Sequence, residues 1–276
     1  MTIDPWQLLD EASTVLAVHA HPDDESLSTG ALIAALTASG TRVELVTATR
    51  GEEGEVVPGA VEPGDTRPLE LIREAEIDEA TATLGIAARH MLGTAPALAA
   101  GADPRVYRDS GMQWIREGLA GPSDTTGPDS FTRRPLEDAV ADLVALIEHV
   151  RPDVVVGYDD GGTYGHPDHV QAHHVAAAAC TRTGAPLLEV ASGEAPEGAD
   201  GADGADGADG RSAADAFLWR DHPGTGETVR RAAESYRTQL RVIGWAGPER
   251  RDGIAIRHVG GQADVVPLRT GLRLRR

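Results

Sequence analysis

"TVLAVHAHPDDESLSTGALIAALTASG", residues 14–40, decides the architecture. Residues 14–18 form a short β-branched run that reads as a buried strand, and "GALIAALTAS" has helical composition and stops at Gly40. Between strand and helix lies a turn holding two histidines, two aspartates and a glutamate. A strand that hands over to a helix is the unit of a parallel sheet, and ligands gather at the carboxyl ends of such strands. So many metal-capable side chains at that place call for a partner segment elsewhere in the chain.

Downstream, the alternation continues. "RVELVTAT" (42–49) reads as the next strand, followed by a Gly-, Pro- and Glu-rich loop to about Pro68. In "LELIREAEIDEATATLG" the residues Leu69, Ile72, Ala75, Ile77, Ala80 and Leu84 fall near helical spacing, with Gly85 as the stop. Residues 93–133 show no sustained periodicity and read as a long loop with room for one short helix. "PLEDAVADLVALIEHVRP" is an amphipathic helix ended by Pro152, and "DVVVGY" is the strand after it. That strand opens into "DDGGTYGHPDH", and "VQAHHVAAAAC" starts another helix. The second His/Asp segment therefore also lies at a strand end. The expected fold is α/β: a Rossmann-like, mainly parallel sheet with helices on both faces, a metal site at the carboxyl ends of its strands, and a smaller, less regular C-terminal portion. Residues 1–190 are expected to form the catalytic domain, 191–214 a flexible acidic loop of Gly-Ala-Asp triplets, and 215–276 a portion packing on the same domain. Within the last, "ADAFLW" reads as a strand, "ETVRRAAESYRTQLRVI" as a helix, and the final thirty residues as one or two strands.

Composition narrows the function. The 276 residues carry a net charge of -19 and contain neither lysine nor asparagine, so arginine supplies all fixed positive charge. Such acidity argues against non-specific binding to nucleic acid or anionic membranes. Residues 230–276 do hold eleven arginines against four acids, which reads as a solvated end balancing an acidic body. The one cysteine, Cys180, excludes a disulfide framework and thiolate metal sites. With no apolar signal core and no long apolar run, a cytoplasmic protein is expected. There is no G-x-G-x-x-G and no P-loop, so no dinucleotide or NTP site is supported.

A catalytic zinc site takes three N or O ligands and leaves a position for water. His21 and Asp24 on the first turn, with His169 on the second, can meet that need, and the neighbouring Asp23 is placed to deprotonate the water. His19 points to the same side of its strand as His21 but reads better as structural support. Glu25 reads as a cap of the following helix, and His173 and His174 as packed or solvent-facing residues.

The paired "AHPDDE" and "GHPDH", each behind a strand, resemble the LmbE-like (PIG-L) family of zinc-dependent de-N-acetylases. "TRGEEGEV", "IREAEIDEATATLG", "YRDSGM" and "ESYRTQL" extend the likeness, which is good over roughly residues 13–180. The resemblance implies that His21, Asp24 and His169 hold zinc, with ferrous iron as the alternative, and that Asp23 is the general base. It further implies that His166 stabilises the tetrahedral intermediate and protonates the leaving amine, with Asp168 as its orienting partner, and that Tyr164 polarises the carbonyl. Arg73 and Asp109 match positions that bind sugar and inositol hydroxyls. Within the family the chain is similar to the mycothiol-pathway group, which implies release of acetyl from an N-acetylglucosaminyl-inositol conjugate. The alternatives are an amidase acting on mycothiol S-conjugates and a metal-retaining, non-catalytic sugar-binding protein. The implied partner is a small acetamido-sugar, with no nucleic acid and no membrane; a homo-oligomer is left open.

Overall fold

The computed structural model describes residues 3–116, 118–124, 126–193, 216–247 and 253–275. Its main sheet has seven strands in the order β3 (Ala88–Met91), β2 (Arg42–Thr47), β1 (Thr14–His19), β6 (Val154–Tyr158), β7 (Leu187–Val190), β12 (Arg269–Leu274) and β8 (Leu218–Asp221). The five strands from β3 to β7 are parallel, and β12 runs antiparallel to both β7 and β8. This is the α/β architecture expected from the sequence, with helices on both faces.

β1 sits at the centre because each of its faces has a core to fill. Val15 and Ala17 join one buried cluster, with α3 (Gly30–Ala38), α4 (Leu69–Leu84) and α8 (Gly226–Glu234). Leu16 and Val18 join the other, with α5 (Leu136–Val150) and α7 (Pro167–Thr183). A strand buried on both faces needs a continuous apolar run rather than alternation, and burial of a side chain such as Leu16, fully inaccessible, stabilises by roughly 1.5–3 kcal/mol. Gly85, at φ 77, closes α4 in the left-handed conformation that glycine adopts without a Cβ clash.

The connections place the site. From β1 the chain turns to β2 on one side, whereas β6 lies on its other side, paired through Val15–Val154 to Ala17–Val156. The crevice between the carboxyl ends of β1 and β6 is thus the point where strand order reverses, where open α/β sheets bind ligands. Both His/Asp segments open into it.

Three expectations are corrected. Within 93–133 the chain forms a hairpin, β4 (Met112–Arg116) with β5 (Leu119–Pro122); the side chains at 113–116 are exposed, so no burial alternation marks it. The helix expected over 227–243 stops at Glu234, and Leu240–Trp245 is strand β9, in a separate antiparallel sheet with β10 (Ile254–His258) and β11 (Ala263–Val266). The final thirty residues contribute three strands, not one or two. Short helices α1 (Pro5–Asp10), α2 (Asp24–Leu27) and α6 (Gly162–Gly165) complete the described elements. The Gly-Ala-Asp loop lies outside the described residues from position 194 onward. Arginines of the C-terminal portion meet acids of the body: Arg273 pairs with Glu189 and Asp160, and Arg275 with Glu189.

Candidate active site

After β1 the backbone turns at His21–Pro22–Asp23, and Asp24 opens α2. The Asp24 carboxylate accepts the His21 N–H at 2.7 Å, which closes the turn. Asp23 carries a positive φ of 113°. For a residue with a Cβ that region costs on the order of 1–3 kcal/mol and persists only where neighbours over-determine it. His19 stays out of the donor cluster: its ring nitrogens meet Tyr158 Oη at 3.2 Å and Thr29 Oγ1 at 2.8 Å.

After β6 the chain passes through Asp159 and a glycine pair. Ser192, beyond β7, donates its N–H to Asp159 and accepts the Thr163 N–H at 2.7 Å. Gly162 is required here, since a Cβ would lie 2.7 Å from the Val170 side chain and 2.9 Å from its backbone nitrogen. Thr163, at φ 65°, hydrogen-bonds through its hydroxyl to His169 Nδ1 at 3.1 Å. His166 caps α7, its Nδ1 accepting the Asp168 N–H at 3.2 Å, and Pro167 fills the first helical position.

These two turns bring His21, Asp24 and His169 together. His21 Nδ1 lies 3.2 Å from His169 Nε2 and 3.3 Å from an Asp24 oxygen, and His169 Nε2 lies 3.2 Å from the other Asp24 oxygen. A tetrahedral ion with bonds of about 2.0–2.1 Å places its ligands about 3.3 Å apart, so the 3.2 Å between the two ring nitrogens suits a shared metal ion. The outer nitrogens are held as metal-ligating imidazoles require: His21 Nε2 meets Asp168 Oδ2 at 3.1 Å, and His169 Nδ1 meets Thr163. Tyr158 stacks on His169 with ring centroids 4.4 Å apart. Burial disfavours the His21 imidazolium, yet Asp109, Asp168 and Asp24 outweigh it and raise its pKa well above 6.5. Such an anionic nest suits a divalent cation. Two other groupings, His21 with His166 and His169 and His21 with Asp109 and Asp168, have donor atoms within 4.8 Å of one another. They fit less well. With Nδ1 accepting an N–H, neutral His166 carries its proton on Nε2, and Asp168 Oδ2 is already taken by His21 and by the Ser110 N–H at 2.9 Å.

The remaining residues divide between groups facing the cluster and groups beneath it. Burial, and then the Asp24 carboxylate, push the half-buried Asp23 carboxyl well above its ordinary range. Burial and the neighbouring His21 and His169 keep His166 neutral. The Tyr164 ring lies 6.0 Å from His166 and 5.7 Å from His169, against Trp114 at 5.4 Å. Burial raises the pKa of its phenol, so it stays protonated. Asp109 stands 3.7 Å from His21 Nε2 and holds the Gly111 N–H.

Three expectations change. Asp168 does not orient His166 through its carboxylate, which crosses to His21; only its backbone N–H reaches His166. Arg73 is buried, and its guanidinium donates to the carbonyls of Gly51, Gly54 and Glu55, pinning the loop after β2 rather than offering itself to a sugar. Sequence reasoning missed Tyr158 and Ser110, whose contacts reach 138 and 58 positions along the chain, and Thr163, which lies six positions before His169 in the same segment. It read Glu25 as a cap of the helix that follows, but Glu25 lies inside α2, and its carboxylate accepts from the Asp23 N–H at 3.3 Å, from Ser26 and from Tyr236 rather than capping α3. His173 packs against the Tyr158 carbonyl at 2.9 Å, and His174 faces solvent.

Residues 16–180 match the family model PIG-L, described as GlcNAc-PI de-N-acetylase. Among curated proteins the chain is similar to the 1D-myo-inositol 2-acetamido-2-deoxy-alpha-D-glucopyranoside deacetylase of Kineococcus radiotolerans, 42% identical over 176 residues that cover 62% of this chain and 47% of that protein. The protein so named from Thermobispora bispora is 45% identical over 166 residues, 58% of this chain and 49% of its own. The chain thus spans about half the length of these relatives. Among solved structures, an N,N'-diacetylchitobiose deacetylase from Pyrococcus horikoshii superposes with a TM-score of 0.56 at 18% identity, covering 85% of this chain and 73% of its own. A deacetylase–teicoplanin complex gives 0.55 at 17%, covering 95% and 99%. These two are likenesses of fold.

Proposed function

The chain belongs to the PIG-L family, and from that premise we propose that it hydrolyses the acetamide of an N-acetylglucosamine conjugate of the N-acetylglucosaminyl-inositol type, releasing acetate. The observation that carries this reading is the convergence of His21 Nδ1 and His169 Nε2, 3.2 Å apart, on the two oxygens of the Asp24 carboxylate, at 3.3 Å and 3.2 Å, with both outer ring nitrogens held. These three residues would hold Zn2+, with Fe2+ as the alternative. The ion would supply Lewis acidity and lower the pKa of water toward about 7.

The chain's own groups then divide the proton transfers. Asp23, its affinity for protons raised by burial, takes a proton from the attacking water. His166, neutral and with its Nδ1 committed to the Asp168 N–H, presents Nε2–H as a hydrogen-bond donor to the tetrahedral intermediate, and the proton that Asp23 took from water passes to the amine nitrogen as the C–N bond breaks. The protonated Tyr164 phenol donates to the carbonyl oxygen as charge develops there. Asp109, at the edge of the cluster, accepts from sugar hydroxyls. Buried, free Cys180 fits a reducing compartment, the cytosol. No helix among the described residues is long and apolar enough to cross a membrane.

Acetate release from N-acetylglucosaminyl-inositol, abolished by a chelator and restored by zinc or ferrous iron, is the expected result. Hydrolysis confined to S-substituted cysteinyl conjugates would assign an amidase instead, and tight metal binding without turnover would leave a binding protein.

A further inference from the structure

The C-terminal portion touches the turn that carries Asp23 through a short segment between α8 and β9. The Tyr236 hydroxyl, fully buried, donates to Glu25 Oε1 at 2.5 Å. Gln239 donates through its side-chain amide to the Pro22 carbonyl at 2.9 Å. Between them, Thr238 is fixed by Glu76, through its N–H at 2.8 Å and its hydroxyl at 2.7 Å, and its carbonyl accepts the Val57 N–H. The segment is therefore anchored to α4 and to the loop after β2. Glu25 is itself fully buried; it takes a second bond from Ser26 Oγ at 2.6 Å, and its Oε2 accepts the Asp23 N–H.

The Pro22 carbonyl and the Asp23 N–H belong to one peptide unit, which is rigid and planar. The segment 236–239 holds both of its polar groups, the carbonyl directly through Gln239 and the N–H by way of Glu25. Rotation between that plane and the Asp23 α-carbon is the φ angle, here 113°. Local preference disfavours such a value, so the conformation rests on the groups that fix the plane.

We propose that Tyr236, Gln239 and Glu25 are positioning residues that clamp the Pro22–Asp23 peptide plane and so hold the Asp23 carboxylate in its working orientation. The proposal rests on the assignment of Asp23 as base. The full chain loaded with zinc, acting on N-acetylglucosaminyl-inositol, provides the test. Tyr236→Phe keeps the buried ring and removes one donor. It should lower kcat about 10- to 100-fold, as a small misplacement of a reacting group does, with KM and zinc content unchanged. In an Asp23→Asn background the same change should alter the residual rate by less than about twofold, because the group it positions is gone. Gln239→Leu, which removes the other hold, should repeat both results. A crystal structure of Tyr236→Phe should show Asp23 out of its positive φ.

An equal fold-loss in the parent and Asp23→Asn backgrounds would make the role merely structural and overturn the proposal. So would wild-type kcat, or an unmoved Pro22–Asp23 peptide. An Asp23→Asn variant as active as the parent would refute the base assignment instead. A parent chain that releases no acetate would refute the reaction, and the Asp23 conformation in the Tyr236→Phe crystal structure would then decide the clamp alone.

Discussion

The tripeptide His-Pro-Asp occurs twice in this site, at 21–23 and 166–168, and its two copies have different surroundings. In the first copy the histidine sits in the donor triangle and the aspartate is held at positive φ. In the second the histidine caps α7 and stays neutral, while the aspartate, inside the first helical turn, sends its carboxylate across the crevice to the histidine of the first copy. The backbone accounts for the difference. Where Pro22 leads into a left-handed residue the chain turns toward the cluster; where Pro167 begins a helix, the next side chain is carried around its axis. Identical letters take their roles from where the following helix begins, after the aspartate in the first copy and at the proline in the second.

The largest effects should separate the two aspartates. Asp23→Asn should reduce acetate release by about 10²–10⁴-fold, the usual contribution of a general base, with metal content retained. If His21 holds the metal as proposed, Asp168→Ala should weaken zinc binding by about 10–100-fold, because it strips the outer partner from that imidazole; competition against a chelator measures it. Were Asp168→Ala to keep full metal affinity, or Asp23→Asn to lose the metal, the division between the copies would be wrong.

Smaller changes sharpen the same contrast. A Cβ at Gly54 would lie 2.6 Å and 2.7 Å from the Arg73 guanidinium nitrogens. Gly54→Ala should therefore lower stability by about 1–3 kcal/mol in thermal unfolding, with zinc affinity unchanged, since Arg73 secures the loop and not the donors. Outside both tripeptides, His222 shows burial that its one carboxylate neighbour, Asp221, does not offset. Burial, then Arg220, depress its pKa from 6.5 to about 4, the opposite of His21. The unfolded chain then binds this proton more readily than the folded one. Its contribution to stability is complete above about pH 6.5 and is lost as pH falls toward 4, amounting to less than about 1 kcal/mol at pH 6. Denaturant unfolding across that range, compared with His222→Gln, checks the slope: the variant should show a shallower fall.

The strands carrying the turns were legible because β1 and β6 are buried on both faces, which demands unbroken apolar runs such as "TVLAV" and "VVV". That His21, Asp24 and His169 would meet could be read from the sequence because metal chemistry restricts residue type and spacing. What stayed hidden depends on partners distant in sequence. The Arg73 guanidinium reaches carbonyls 18 to 22 positions away, and the same Arg-x-x-Glu reads as easily as an ion pair. Asp168 and His21 are 147 positions apart. The helix expected over 227–243 overran because helix formers continue past Ser235, yet Tyr236 leaves the helix to reach Glu25.

The pairing of β1 with β6 has a thermodynamic consequence. His21 and His169 are 148 positions apart and converge only when that parallel pair closes a very long loop. An unfolded chain offers no thiolate cluster, its single cysteine standing alone, and does not hold His21 beside His169. A cation held there would prefer the folded chain, and the difference between its binding free energies to the folded and unfolded chains becomes folding free energy. Melting temperature should then climb with the logarithm of free metal concentration, and depletion of metal would reveal how much stability the apolar core provides by itself.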